Sequence, residues 1–274
     1  MGCYFNGYHF LSALIQYIIN YNQVENTNQK HFIRRFFWIL GLRASGLFLS
    51  AFMPVKYCLP IASIVVVGTW SLPGIVLKDN NRNINMQDVA INFPHIMERL
   101  SLLIIITFGE MIVQIALYFR IENFSIWTLF IFMIVANLFM IYIVEIDHLI
   151  DLSFLERTAY QAIYLHNLIL FGLSFITVSL SVLSKSEVNL QFISFVLNIG
   201  VGLFLLGTLA HNRYNKISHR VPKRIINQIG VIWVLSIVVS MLVTKSEFII
   251  VLTFIQSLLM AVILVRHTIK SNSI

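Results

Sequence analysis

Nine stretches of the chain are apolar almost throughout, and short polar links separate them. They run roughly over Tyr4–Ile19, Phe32–Met53, Tyr57–Leu77, Ile96–Phe119, Phe124–Glu145, Thr158–Leu183, Leu190–Ala210, Ile225–Val243 and Phe248–Val265. Most hold the roughly 18 or more residues that a helix needs to cross a hydrocarbon layer about 30 Å thick. Backbone groups inside such a layer must bond within their own segment, so helix is the expected state of each run. The pattern predicts an all-α fold: a polytopic transmembrane helix bundle of about nine spans. The first run is short and the second carries Arg43 in its interior, so the count is eight or nine. The longest polar links, Lys78–Phe93 and Asn212–Lys223, are too short to be domains, and no repeat or low-complexity tract interrupts the pattern. Residues 1–274 therefore read as a single transmembrane domain.

The fourth run departs from a plain oily helix. Asn92 to Gln114 opens with Pro94 and His95, carries Glu98 and Arg99 in its first turn, and stays apolar until Gly109 and Glu110. At about 1.5 Å rise per residue, Glu110 lies roughly 18 Å beyond Glu98, near mid-depth of the layer. At about 100° per residue, Arg99 and Glu110 project within about 20° of each other, with His95 and Glu98 on either side. One polar stripe thus runs down the helix. An ionisable group at that depth is costly unless paired or wetted, which marks it as a functional candidate. The alternative is a structural Glu110 bonded to a neighbouring helix.

Composition fits the bilayer reading. The 274 residues are 58% hydrophobic and 11% charged, and mean hydropathy is +0.83. A soluble domain carries about 25% charged residues, so this chain cannot cover itself with a polar surface. A net charge of +7 would suggest nucleic acid in a soluble protein. Here the basic residues cluster in short loops between apolar runs, the pattern of a cytoplasmic membrane face, and no nucleic-acid partner is expected. Of the nineteen Lys and Arg, thirteen lie in links after odd-numbered runs and only Lys56, Arg120, Lys185 and Lys245 in links after even-numbered ones. The positive-inside rule then places the C-terminus in the cytoplasm. Nine spans put the N-terminus outside with no basic anchor, which predicts that the natural chain begins further upstream.

Several other polar residues fall at membrane depth. Arg43 is placed to pair with Glu110 or to snorkel to an interface. Glu145, Asp147, His148, Asp151 and Glu156 cluster at one end of the fifth run, either as cation ligands or as a solvated face. His166 follows Tyr164 in the sixth run and is either a structural donor or a group for proton relay. Asn137, Gln161, Asn167 and Asn198 are expected to face protein rather than lipid. The tryptophans, Trp38, Trp70, Trp127 and Trp233, read as interfacial anchors. Gly200, Gly202 and Gly207 predict one close helix contact at most, because no Gly-xxx-Gly occurs. Cys3 and Cys58 are too few for a disulfide framework or a zinc site. No nucleophile elbow, phosphate loop or metal motif is present in the sequence, and no cofactor is expected.

The run from Pro94-His95-Ile96-Met97-Glu98-Arg99 to Gly109-Glu110 resembles the signature of the bacterial low temperature requirement A family, approximately H-x-x-E-R-(F/Y)-G, an aliphatic run, then G-E-(S/A). Tyr142 and the pair Tyr164 and His166 resemble the family's next landmarks. Leu100-Ser101 replaces the aromatic-Gly pair, Met111 replaces a small residue, and no early acidic helix of the E-L-F-F-D-L type is matched. The resemblance implies a multi-pass protein of the bacterial cytoplasmic membrane, truncated or divergent at its N-terminus. It singles out His95, Glu98, Arg99, Gly109, Glu110, Tyr142, Tyr164 and His166, but names no reaction.

Three functions remain open. The first is translocation of a proton, cation or small solute through the bundle, using a buried polar core of Glu110 with Arg99, His166 and Arg43. The second is a structural or regulatory membrane protein whose polar stripe fixes packing. The third is an intramembrane enzyme on a lipid-type substrate, with His95 and Glu98 as a base pair at headgroup level. Glu110→Gln separates the first two. Ion flux into proteoliposomes is expected to vanish in this variant if Glu110 is on the path, and the variant should behave as wild type if an amide suffices for packing.

Overall fold

The computed structural model describes residues 27–76, 92–116, 125–151, 160–183 and 189–272, with a few positions between 15 and 23. The described residues are helical, with no strand and one isolated antiparallel bridge, Ile150 to Asn215. Most of the expected first run, most of the Lys78–Phe93 link and Glu156 lie outside them. The chain forms two compact units, Met1–Ile91 and Asn92–Ile274.

In the first unit α1 (Thr27–Ala51) and α2 (Val55–Val76) pack as a hairpin. Pro54 has no N–H to continue α1, and its carbonyl instead accepts from Tyr57 and Cys58 at 2.8 and 3.0 Å to start α2. Gly46 faces Val65 so closely that an added Cβ would stand 2.7 Å from its Cγ1. Arg43 is half-buried on α1.

The second unit comprises α3 (Phe93–Ala116), α4 (Ile126–Ile143) with a π-helical continuation over Val144–Leu149, α5 (Tyr160–Val182) and α6 (Leu190–Ala210). Two 3-10 turns, His211–Tyr214 and Ile217–His219, lead into α7 (Lys223–Leu242) and α8 (Ser246–Asn272). Packing runs from α3 to α5, α6, α7, α8 and α4, and from α4 back to α3. Five of these helical stretches are long and apolar enough to cross a membrane: Ile126–Leu149, Gln161–Val182, Leu190–Tyr214, Ile217–Leu242 and Ser246–Ser271.

Lipid is as apolar as a leucine side chain, so burial alone cannot tell these helices which neighbour to take; close fit and polar contacts do. Asn137 donates to Ser257 Oγ at 3.1 Å between α4 and α8. Asn198 donates to Ser240 Oγ at 3.0 Å between α6 and α7. Ser236 donates to Gln256 at 2.8 Å between α7 and α8. Asn137 and Asn198 thus face protein, as their position in apolar runs predicts. Trp233 differs from the expected anchor: its indole N–H donates to Asn198 O at 2.9 Å, and its ring fills the space over Gly202. A tryptophan with a donor partner inside a bundle need not seek the interface.

The tightest seam joins α5 and α6. A Cβ on Gly172 would stand 2.5 Å from Phe204 N and 2.7 Å from Gly200 O; one on Gly207 would stand 2.7 Å from Leu165 O. Three glycines therefore let two antiparallel backbones touch. With Gly202 against Trp233, that makes two glycine-mediated contacts where one was expected. Gly172→Ala is expected to lose about 1–3 kcal/mol of stability through overpacking. Gly109→Ala, with nothing within 4 Å of the added carbon, should change it little. Thermal unfolding of both variants in detergent checks the contrast.

Candidate functional site

α3 starts where Asn92 accepts from His95 N at 3.3 Å, so the turn read as a link is already helix. Its buried face is Phe93, Met97, Ile104, Phe108, Met111 and Ile115. The polar stripe lies on the other side, so Arg99 and Glu110 do not form the buried core expected of them: His95, Glu98, Arg99, Gly109 and Glu110 are all exposed. His95 Nδ1 and Glu98 Oε2 are 3.6 Å apart with side chains 53% and 70% exposed, a loose pair of little energetic weight.

The stripe opens onto two separate hollows. Near the start of α3, a cleft of about 520 Å³ between α3 and α4 is lined by His95, Glu98, Ser101, Tyr142, Asp147 and neighbouring apolar side chains. About three turns further on, a hollow of about 270 Å³ between α3 and α5 is lined by Glu110 with Thr107, Gln114, Ser174, Thr177 and Ser181. Thr107, Ser174 and Thr177 donate to carbonyls of their own helices at 2.9, 2.8 and 2.7 Å, which leaves their oxygen lone pairs for an occupant. On the buried face of α3 stands Phe108, 2% exposed, its ring 5.2 Å from Phe139, 6.2 Å from Tyr142 and 6.4 Å from Phe204.

Behind the first cleft lies a buried chain of hydrogen bonds. Tyr142, in contact with Ser101 at the cleft wall, has its hydroxyl 3.3 Å from His166 Nε2. His166 Nδ1 is 3.0 Å from His211 Nε2 and 2.9 Å from Ala162 O. His211 Nδ1 is 2.7 Å from Gly207 O. All three side chains are 0% exposed. A carbonyl only accepts, so each ring carries its proton on Nδ1. Tyr142 then donates to His166 Nε2, and His166 Nδ1–H is shared between Ala162 O and His211 Nε2. Every nitrogen is satisfied with both rings neutral.

Below the histidines, α4 is tied to the segment after α6. Asp151 N donates to Tyr214 O at 2.8 Å, and Lys216 N to Leu149 O at 3.0 Å. The Asn212 side chain accepts from Val221 N at 2.7 Å and donates to Val221 O at 2.9 Å, closing the loop as a strand partner would. Asn215 donates to Glu145 at 2.7 Å, and Arg213, bonded to Gln161, stacks over the Tyr214 ring at 5.0 Å.

The model of the bacterial low temperature requirement A protein (LtrA) family matches residues 5–267, nearly the whole chain. The protein belongs to the LtrA family. No curated protein and no solved structure matches it. Of the residues that the family resemblance singles out in this LtrA chain, the structure joins Tyr142 to His166 and His95 to Glu98. Tyr164 is half-buried on α5, and Glu110 occupies the other hollow. Arg43 belongs to the first unit and Glu110 to the second.

Two participants in this LtrA protein escape a reading of the sequence. His211 stands one residue past the apolar run Leu190–Ala210 and so reads as a loop residue, and Asn215 reads likewise. A histidine directly abutting an apolar run, four residues after a glycine, is the local signal; its partner lies 45 residues away. Glu145 reads in the sequence as one of the carboxylates of a juxtamembrane cluster. The structure separates it from them: Glu145 is 0% exposed, while Asp147 and His148 are exposed.

Proposed function

We propose that this LtrA protein carries protons through its helix bundle, linked to movement of a cation or small solute. The observation that carries the reading is the continuous chain from Tyr142 through His166 to His211, enclosed in apolar-walled helices and beginning at the wall of an open cleft. A proton reaching His166 Nε2 can be matched by passage of the Nδ1 proton to His211 Nε2, and reversal of the rings resets the pair. In the other half of the bundle Glu110, in a hydroxyl-lined hollow, supplies a second protonatable group.

A second reading, of a packing or regulatory role, draws on the two histidines each bonding a carbonyl of its own helix, Ala162 O and Gly207 O. Proton flux into proteoliposomes, read with an enclosed pH dye, distinguishes the readings. Under the transport reading, flux falls about a hundredfold in His211→Gln, the scale of losing one acid–base group. Equal flux from wild type and variant, with both folded, sinks that reading and favours packing.

The basic links favour the bacterial cytoplasmic membrane as the location, with about nine spans and a cytoplasmic C-terminus. A phosphatase active only outside the cytoplasm, fused after Ile274, is then expected to stay silent, and an active fusion would reverse the orientation.

A further inference from the structure

The end of α4 holds buried polar atoms that the histidine chain does not use. The helix there passes into a π-helical turn, Val144–Leu149, a geometry that recurs at functional sites. This turn carries Glu145 at 0% exposure, and Oε1 accepts from Asn215 Nδ2 at 2.7 Å. The same Nδ2 stands 3.3 Å from Asn212 Oδ1, so the donor side of the Asn215 amide is spent. On the acceptor side nothing answers. Among the described residues, neither Glu145 Oε2 nor Asn215 Oδ1 has a hydrogen-bond partner, and Asn215 is 3% exposed. Buried acceptors are nearly always satisfied, so two on one carboxylate–amide pair point to an occupant, a hydrogen-bond donor or a cation.

The donor set limits what that occupant is. Both orphans are oxygens, which suit a hard cation. The described residues hold no group of three or more His, Cys, Asp or Glu able to take a transition metal. One carboxylate balances one positive charge. A divalent ion would leave a net charge in an apolar interior, whereas a monovalent ion leaves none. The backbone is firm on both sides, because the Ile150–Asn215 bridge and the bonds from Asp151 N and Lys216 N hold the two segments together. Asp147, exposed two residues beyond Glu145, adds negative charge that draws cations to this end.

We infer that Glu145 and Asn215 form a binding site for a small monovalent metal cation of the sodium class. The site stands whether or not protons pass along the histidine chain. The test is thermal unfolding of the full chain in detergent, titrated with sodium chloride against choline chloride at constant ionic strength, with potassium and caesium as a size series. Sodium is expected to raise the unfolding temperature saturably over choline and caesium less so, with the response lost in Glu145→Gln and weakened in Asn215→Ala. The amide that Glu145→Gln introduces can itself donate to Asn215 Oδ1, so this variant is expected to fold. If it does not, equilibrium binding of radioactive sodium to wild type decides, with one ion per chain expected. No sodium response beyond choline in wild type, as for a carboxyl that holds only a proton, overturns the inference, as does an equal response in Glu145→Gln. Loss of proton flux with the sodium response retained would strike the transport reading alone.

Discussion

The contact on which the second unit depends is the one between the α5 and α6 backbones. Gly172, Gly200 and Gly207 carry no side chain, and the space a Cβ would need is filled by backbone of the opposing helix. In lipid there is no hydrophobic gain in pressing one apolar helix on another, so such close van der Waals fit is a main source of specificity. Its consequence lies at one end of the seam. Gly207 sits against Leu165 and Ile169, and this register sets His211 beside His166 at 3.0 Å. The polar chain exists because three positions along an oily interface are empty.

The polar groups divide the bundle into compartments of different character. At one end, Tyr142, His166, His211, Glu145 and Asn215 are withdrawn from solvent, held by bonds between α4, α5, α6 and the segment that follows. Towards the other end, Glu110 faces a hollow whose hydroxyls satisfy their hydrogens on their own helices and keep oxygens outward. An arrangement meant only for packing would need one satisfied contact per helix pair, as Asn137–Ser257 and Ser236–Gln256 provide. Among the described residues, the carboxylate–amide pair of Glu145 and Asn215 also holds two oxygens without a hydrogen-bond partner.

Much of the architecture is legible in the chain. The run Leu190–Ala210 coincides with α6, and the runs Phe32–Met53 and Tyr57–Leu77 foresee α1 and α2 to within a few residues except at the start of α1. Boundaries slip where chemistry and length part company. The fourth apolar run is drawn from Ile96, yet the helix begins at Phe93, since proline is tolerated in a first helical turn. The last apolar run ends at Val265, but α8 continues through Arg266, His267 and Lys270 to Asn272, since a helix need not stop where its apolar surface does. The stripe on α3 occupies one face of one helix, as its spacing predicts. Its division between two hollows is not readable from spacing, because it depends on which neighbours lie at each height.

The sequence by itself determined that this is a helical membrane protein and that Tyr142, His166 and Glu110 merit attention. Those conclusions rest on local properties: runs of apolar side chains must leave water, and backbone groups in lipid must pair within their segment. Only the tertiary structure decided that His166 meets His211, that Glu145 turns inward while Asp147 stays out, and that Trp233 packs against Gly202 and Asn198. Those outcomes depend on the rotation and register of helices whose contacts lie tens of residues apart. Missing side chains at three glycines set that register for α5 and α6, and hydrophobic periodicity carries no information about it.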